Sequence, residues 1–243
     1  MDGLDKPDSQ SPEHAFKKRN AGAAMLHKFA QSLPGYFMLR RLALAPYWKR
    51  QMSEWEAAGR PTPMPMPVKH AALRMLAAEH GAKIFVETGT NIGDTVELML
   101  PHFEKLYSIE VFEPLYNLCR RRFKNNPKVT LVKGDSATEL AGVIAKLDKP
   151  ALFWLDGHYS GPGTGKGGKD TPIYEELSLL FKTGRTDFTI LIDDARCFGD
   201  PLFPAYPTIP ALREFVESNS PHPLSFTVEN DIIRLLPAHP QRF

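Results

Sequence analysis

A glycine turn between an apolar run and a helix-like run, within residues 84–100, most constrains how this chain folds. Residues 84–86 are apolar and end at Glu87, and Gly89 and Gly93 follow four positions apart. Glycine accepts a positive φ and lets the backbone approach a ligand where a Cβ would collide. A strand, a glycine turn and a helix in this order are typical of α/β proteins that bind a cofactor at the turn.

Two common phosphate-binding motifs do not fit the sequence. A dinucleotide fingerprint anchored at Gly89 needs glycines at positions 91 and 94, which are Asn91 and Asp94. The glycine-rich run 161–168 resembles a phosphate loop, but Ser160 stands where its first glycine belongs and Gly167 follows the lysine in place of Ser or Thr. We therefore predict neither nicotinamide binding nor a phosphate loop, and expect residues 157–171 to form an active-site lid.

Alternating apolar and amphipathic segments predict the fold class. Strands are predicted at 82–87, 106–111, 129–132, 152–155 and 188–192, with helices at 114–123, 138–146, 172–181 and 209–217. Residues 224–228 and 232–236 flank a turn and predict a closing hairpin. The prediction is an α/β fold, a doubly wound, mostly parallel, seven-stranded Rossmann-like sheet with an antiparallel C-terminal hairpin.

The N-terminal third lies outside this pattern. We expect a disordered tail at 1–13, a helical cap and proline linker at 14–67, and the cofactor-binding domain at 68–243. Pro34-Gly35 and Pro46 are predicted to break the cap into separate helices. Basic and aromatic residues interleave over 15–58. We interpret them as a helical extension packed on the main domain, the alternative being contact with a membrane surface.

Composition excludes several classes of protein. With 30 basic and 28 acidic residues, the net charge of +2 gives no sign of a nucleic-acid partner. Two cysteines without a pairing pattern indicate a reducing compartment. An acidic N-terminus is unlike a signal peptide, and no apolar run approaches the ~20 residues of a membrane span. The expected location is the cytoplasm, and the oligomeric state is left open, a homo-oligomer being one alternative.

The sequence Glu-x-Gly-x-x-x-Gly after a buried strand resembles the first motif of class I S-adenosylmethionine (SAM)-dependent methyltransferases, and the terminal hairpin agrees with that family. The resemblance covers about residues 70–236. It implies a cofactor site for SAM, to which we assign residues at four strand ends: Glu87, Gly89, Thr90, Asn91, Gly93, Glu110, Asp135, Ser136 and Asp156.

Within that resemblance, each acidic residue has an expected role. Glu87 orders the glycine turn and the ammonium end of SAM, and Glu110 accepts from both ribose hydroxyls. Glu113 is the rival for the ribose. Asp135 and Ser136 match positions that meet the adenine, and Asp135 is equally suited to cap the following helix.

Three further carboxylates follow the fourth and fifth strands. Asp156, Asp193 and Asp194 fall on the metal-ligand positions of catechol-type and macrocin-type sugar O-methyltransferases, which these motifs resemble most. Carboxylates so close together repel one another, and a hard divalent ion such as Mg²⁺ or Mn²⁺ offsets that repulsion. We therefore predict a metal site. The alternative is that cations such as Arg196, Lys166 or Lys169 pair with them.

The general base departs from the catechol-type pattern. Those enzymes place a lysine three residues after the strand-four aspartate, where this chain has Tyr159. His158 is the expected substitute, with Asp156 as the second catalytic residue, although His158 would also suit a backbone contact or a metal. The predicted function is metal-assisted O-methylation of a hydroxylated small molecule or sugar. A metal-independent N- or C-methyltransferase and a non-catalytic nucleotide-binding scaffold are the alternatives.

Overall fold

The computed structural model describes residues 35–157 and 171–237. The chain forms two compact units, Met1–Pro46 and Tyr47–Phe243. The elements, in chain order, are α1 (Tyr36–Ala57), α2 (Met66–Glu79), β1 (Ile84–Thr88), α3 (Asp94–Met99), β2 (Lys105–Glu110), α4 (Glu113–Phe123), β3 (Val129–Lys133), α5 (Ser136–Ile144), β4 (Ala151–Leu155), α6 (Ile173–Phe181), β5 (Phe188–Ile192), a 3₁₀ turn (Ala195–Cys197), α7 (Ile209–Asn219), β6 (Leu224–Glu229) and β7 (Ile232–Pro237).

The predicted sheet is confirmed. Its seven strands lie in the order β3-β2-β1-β4-β5-β7-β6. Strands β1 to β5 pair in parallel, and β7 runs antiparallel to both β5 and β6. The chain passes from β1 outward to β2 and β3, then returns to place β4 on the other side of β1. This reversal makes the carboxyl ends of β1 and β4 the point where α/β sheets open a crevice for ligands.

Helices cover both faces of the sheet. Successive residues of a strand point to opposite faces, so that Ile84 and Val86 pack in one layer and Phe85 in the other. Core residues of α5, α6 and α7 belong to the first layer, and those of α2, α3 and α4 to the second. Burial on both faces explains why β1, β4 and β5 are mostly apolar instead of alternating, with Glu87, Thr88 and Thr189 as their polar residues.

The N-terminal prediction needs one correction. The expected break at Pro46 does not occur, because α1 continues through that residue. A proline removes one backbone donor and crowds the preceding turn, which can bend a helix without ending it. Helix α2 begins at Met66, with Pro67 in its first turn, where no backbone donor is required.

Some predictions concern parts of the chain beyond the described residues. They include the tail at 1–13, most of the expected lid at 158–170, and the candidate base His158. No helix of residues 35–157 or 171–237 combines the length and apolar character needed to cross a membrane.

Candidate active site

The glycine turn after β1 packs tightly against the end of β4. Gly89 has φ +86°, and a Cβ at this position would overlap the carbonyl oxygen of Asp156. Gly93 has φ +81°, and a Cβ there would lie 2.7 Å from the Phe123 ring. Both glycines are therefore required by the fold itself, through backbone conformation and through close packing.

A chain of hydroxyl groups leads from this turn to Glu87. The Ser108 hydroxyl donates to Oε2 of Glu87 at 2.7 Å, and Thr90 Oγ1 lies 2.6 Å from the Ser108 oxygen. Burial raises the pKa of Glu87 well above its usual range, although the hydrogen bond from Ser108 opposes that rise. Within the described part of the chain, no lysine or arginine forms an ion pair with Glu87. A cationic group placed here would favour the ionised carboxylate.

Glu110 joins the turns that follow β1 and β2. Its Oε2 accepts from the Asn91 amide at 2.8 Å, and its Oε1 accepts from the Phe112 amide at 2.8 Å. Burial raises the pKa of Glu110, while these backbone donors favour its charged form. Each carboxylate oxygen can accept a second hydrogen bond. Glu110 thus remains able to accept from a ligand, but its first task is to shape the glycine turn.

The rival Glu113 pairs with a lysine of β3. Its Oε2 lies 2.9 Å from the ammonium of Lys133, and its side chain is 63% exposed. The lysine lowers the pKa of Glu113 through a hydrogen bond. This contact gives Glu113 a surface partner that Glu110 does not share.

The end of β3 and the start of α6 place further acidic groups near the same edge. Asp135 is the N-cap of α5, because its side chain accepts from the Ala137 amide at 3.0 Å. Ser136 and Thr88 hydrogen-bond to the side chain of Glu176, a residue of α6 that is only 1% exposed. Burial raises the pKa of Glu176 to about 7. The sequence analysis did not single out Glu176, since it occupies an ordinary position of an amphipathic helix.

The three carboxylates predicted to hold a metal ion are arranged differently from the expectation. Among residues 35–157 and 171–237, no group of three or more His, Cys, Asp or Glu is placed to hold a metal. The buried Lys69 ammonium bonds Oδ1 of Asp193, and it bonds Oδ1 of Asp194 at 2.8 Å. Asp193 Oδ1 also accepts the Asp194 amide at 2.7 Å. Asp193 and Asp194 therefore lie in an ion-paired cluster, whereas the metal site stays a prediction.

Arg196 extends this cluster toward the hairpin. Its guanidinium donates to Oδ1 of Asp194 at 2.7 Å and also pairs with the carboxylate of Asp231, in the β6–β7 turn. The Asp231 side chain is only 1% exposed, and its Oδ1 accepts the Arg196 amide at 2.9 Å. The alternative expectation of a pairing with Arg196 is borne out, whereas Lys166 and Lys169 lie beyond the described residues.

Asp156 lies where β4 ends, next to the glycine turn. Its amide donates to the Thr88 carbonyl at 3.1 Å and to Thr88 Oγ1 at 3.2 Å. The charge of Asp156 contributes to raising the pKa of both Glu87 and Asp193, which places all three carboxyls at one edge. The sequence prediction grouped Asp156 with the other strand ends, as observed. His158 lies outside the described residues, so its role as the base stays a prediction.

Helix α2 contributes two residues that sequence reasoning missed. Lys69 reaches the end of β5, and Nε2 of the adjacent His70 lies 3.4 Å from Thr95 Oγ1 on α3. The Thr95 side chain in turn hydrogen-bonds to Glu87. Burial lowers the pKa of His70 to about 4, so this imidazole is neutral at pH 7. The only sequence signal was that both residues lie beside the apolar stripe of an amphipathic helix.

Comparison with known proteins identifies the fold. No protein-family model and no curated protein sequence matches this chain. The chain is similar to the SAH-bound methyltransferase PaMTH1 of Podospora anserina, with 14% identity, a TM-score of 0.53, and coverage of 98% of this chain and 100% of that one. It is also similar to an O-methyltransferase from Bacillus cereus in complex with SAH, with 16% identity, a TM-score of 0.50, and coverage of 78% and 90%. At these identities the likeness shows a shared fold.

Proposed function

We propose that this protein is a SAM-dependent methyltransferase that methylates a hydroxyl group of a small molecule or sugar. The observation that carries the proposal is Glu87, a buried carboxyl without a basic partner in the described chain, beside a glycine turn at the reversal of the sheet. Such a carboxyl suits a ligand that brings its own cation, and SAM has an ammonium group. Two solved structures of the same fold are SAH complexes.

The residues at three strand ends fit the rest of the cofactor. Glu110 closes the crevice beside the turn and retains acceptor capacity for ribose hydroxyls. Asp135 and Ser136 stand at the N-terminus of α5, where the adenine is expected. When bound, SAM supplies an electrophilic methyl group on a sulfonium centre. The protein's part is to hold that group in line with the acceptor oxygen and to exclude water.

The acceptor is proposed to lie between the ends of β4 and β5. Tyr206, on the proline-rich loop 201–210, is close enough to Asp156, Asp193 and Asp194 for their charges to raise the pKa of its phenol, burial being the largest cause. This loop would form one wall of the acceptor pocket. As the bond between the acceptor oxygen and the methyl carbon forms, the methyl–sulfur bond would break and leave SAH, and the proton of the acceptor hydroxyl would pass to His158 or Asp156.

A divalent ion does not fit the carboxylates as they are arranged. Lys69 already bonds an oxygen of Asp193 and of Asp194, and Arg196 bonds the same oxygen of Asp194. A metal would have to displace these cations. The proposed reaction is therefore metal-independent, and it assigns no step to Mg²⁺ or Mn²⁺.

Calorimetric titration of the full chain with SAM, SAH and NAD tests this proposal. We expect SAM and SAH to bind and NAD not to bind. Glu110→Gln should weaken SAH binding by about tenfold to a hundredfold, since a hydrogen bond to a charged group contributes about 1.5–3 kcal/mol. Glu113→Gln, which alters an exposed residue at the start of α4, is the matched control and should bind SAH like the wild type.

Two outcomes would contradict the proposal. If the folded wild-type protein binds neither SAM nor SAH, SAM is not its cofactor. If it binds NAD tightly, a nicotinamide cofactor takes the place of SAM in the proposal. Circular dichroism of Glu110→Gln shows whether lost affinity comes from the missing acceptor or from a disordered glycine turn.

A further inference from the structure

The carboxylate pair at the end of β5 is organised by a lysine from another part of the chain. The side chains of Lys69 and Asp193 are 4% and 5% exposed, and that of Asp194 is 12% exposed. One ammonium group bonds both carboxylates, although Lys69 and Asp193 are 124 residues apart in sequence. The contact is therefore made by tertiary packing of α2 on the sheet.

Burial of this lysine is not explained by packing alone. Removing an ammonium from water costs several kcal/mol unless it is well paired, and an apolar side chain fills the same space without that cost. Neighbouring positions on the same face of α2, including Leu73 and Leu76, are apolar and buried. A cation at position 69 thus indicates a specific electrostatic role.

We propose that Lys69 takes the place of a divalent metal ion at the pair Asp193 and Asp194. A lysine ammonium is a compact positive charge with three donors, and it can bridge two carboxylates as a metal would, though without acting as a Lewis acid. Lys69 is a positioning residue, because it acts through the two aspartates. The inference rests on the proposed function only for its relevance to catalysis. Whether Lys69 occupies the place of a metal ion does not depend on SAM binding.

Arg196 and Asp231 support this assignment. Arg196 bonds the same oxygen of Asp194 as Lys69, and it pairs with Asp231 on its other side. Three carboxylates therefore alternate with two cations along one connected network. In such a network a divalent ion would have to displace cations that already bond the aspartate oxygens. Removing Lys69 instead leaves a vacancy for a cation.

Titration with Mn²⁺ tests the proposal. The proteins are the wild type, Asp193→Asn, Lys69→Met, Lys69→Arg and the double variant Lys69→Met/Asp193→Asn. Lys105→Met, which alters a half-exposed lysine on β2, is the matched control. We expect wild type, Lys69→Arg and Lys105→Met to show no binding that depends on Asp193. Lys69→Met should bind Mn²⁺ at least tenfold more tightly than the wild type, and the double variant should lose that gain.

The outcomes separate this inference from the proposed function. Binding of Mn²⁺ by the wild type that Asp193→Asn abolishes would overturn it, as would a folded Lys69→Met variant that gains no affinity. If Lys69→Met does not fold, the wild-type titration still decides, and Mn²⁺-dependent refolding of Lys69→Met provides a second measurement. Suppose that Lys69→Met gains metal binding but the wild type does not bind SAM. The inference about Lys69 would then be supported, and the proposed methyltransferase function would be contradicted.

Discussion

Buried carboxyl groups set the electrostatics at the carboxyl edge of the sheet. Burial is the largest cause of the raised pKa of Glu87, Glu110, Glu176 and Asp193. Each has a different compensation: hydroxyl donors for Glu87, backbone amides for Glu110, and Lys69 for Asp193. Glu176 accepts from the hydroxyls of Ser136 and Thr88, although its Oε1 is buried without a hydrogen-bond partner in the described chain. Because their partners differ, some of these carboxyls stabilise the fold, while others can still bind a ligand.

Glu176→Gln should make stability less dependent on pH. The pKa of Glu176 is about 7 in the folded protein and about 4.5 in a model peptide. A raised folded pKa gives a stabilising contribution that is complete below pH 4.5 and is lost as the pH rises through 7. Relative to the wild type, the variant should therefore gain free energy of unfolding between pH 4.5 and 7, reaching roughly 3 kcal/mol above pH 7.

Urea unfolding at pH 5, 6, 7 and 8 measures this effect. The exposed Glu214→Gln on α7 is the control and should differ from the wild type by the same amount at every pH. An equal difference between Glu176→Gln and wild type at pH 5 and pH 8 would show that Glu176 does not change its protonation over this range.

Two helices outside the strand ends hold the proposed cofactor site in shape. Helix α2 supplies Lys69 and His70, and α4 supplies Arg122. The Arg122 guanidinium donates to the Ile92 carbonyl at 2.6 Å, to Asp94 at 2.9 Å and, through Nε, to Glu97 at 2.9 Å. It therefore fastens both the glycine turn and the first turn of α3. The helices are part of the site, in addition to covering the sheet.

Arg122→Met should destabilise the protein and weaken SAH binding together. The side chain is 4% exposed, and its removal leaves Asp94 and Glu97 facing each other without their shared cation. Because these carboxylates are 19% and 21% exposed, we expect a cost of about 1.5–3 kcal/mol, typical of a lost hydrogen bond to a charged group. Thermal unfolding and SAH calorimetry measure the two effects. Arg121→Met, on the exposed neighbouring residue, is the control, and a full-stability Arg122→Met protein would contradict the proposed fastening role.

At the scale of the whole molecule, all described residues of the proposed cofactor site lie in the unit Tyr47–Phe243. Within that unit, the Trp48 ring packs edge-on to His70, with centroids 5.8 Å apart. Contacts through His70 and Thr95 thus connect Trp48, which precedes the proline-rich segment, to the proposed cofactor site. The motif resemblance used in the sequence prediction begins later, near residue 70.

Removal of residues 1–46 should leave SAH affinity within about threefold of the wild type, because Trp48, Lys69 and His70 all remain. Removal of residues 1–80 should abolish SAH binding, since it deletes α2 and exposes the apolar layer that α2 covers. Calorimetry on both truncated proteins, with circular dichroism as the check on folding, measures the contrast. Loss of binding in a folded 47–243 protein would mean that the first unit contributes to the site.

The sequence by itself determined the sheet and its ligand-binding edge. Strands buried on both faces are mostly apolar, and amphipathic helices separate them in the sequence. For this reason β5 was predicted at its observed bounds, 188–192. Gly89 and Gly93 marked the turn, because only glycine fits its positive φ at close packing. Parallel strands bring their carboxyl ends to one edge, so strand order alone was enough to group Glu87, Glu110 and Asp156.

Only the tertiary structure decided which charges meet at that edge. Local periodicity shows that a lysine lies on a helix, and such lysines are commonly solvated, so nothing near Lys69 in sequence indicated a contact with Asp193. The same holds for Arg122 and Ile92 of the glycine turn, which lie 30 residues apart. The sequence pattern of an aspartate cluster is the same whether a metal or a lysine neutralises its charge. The choice depends on long-range packing, because the energy of a buried charge is set by the groups around it.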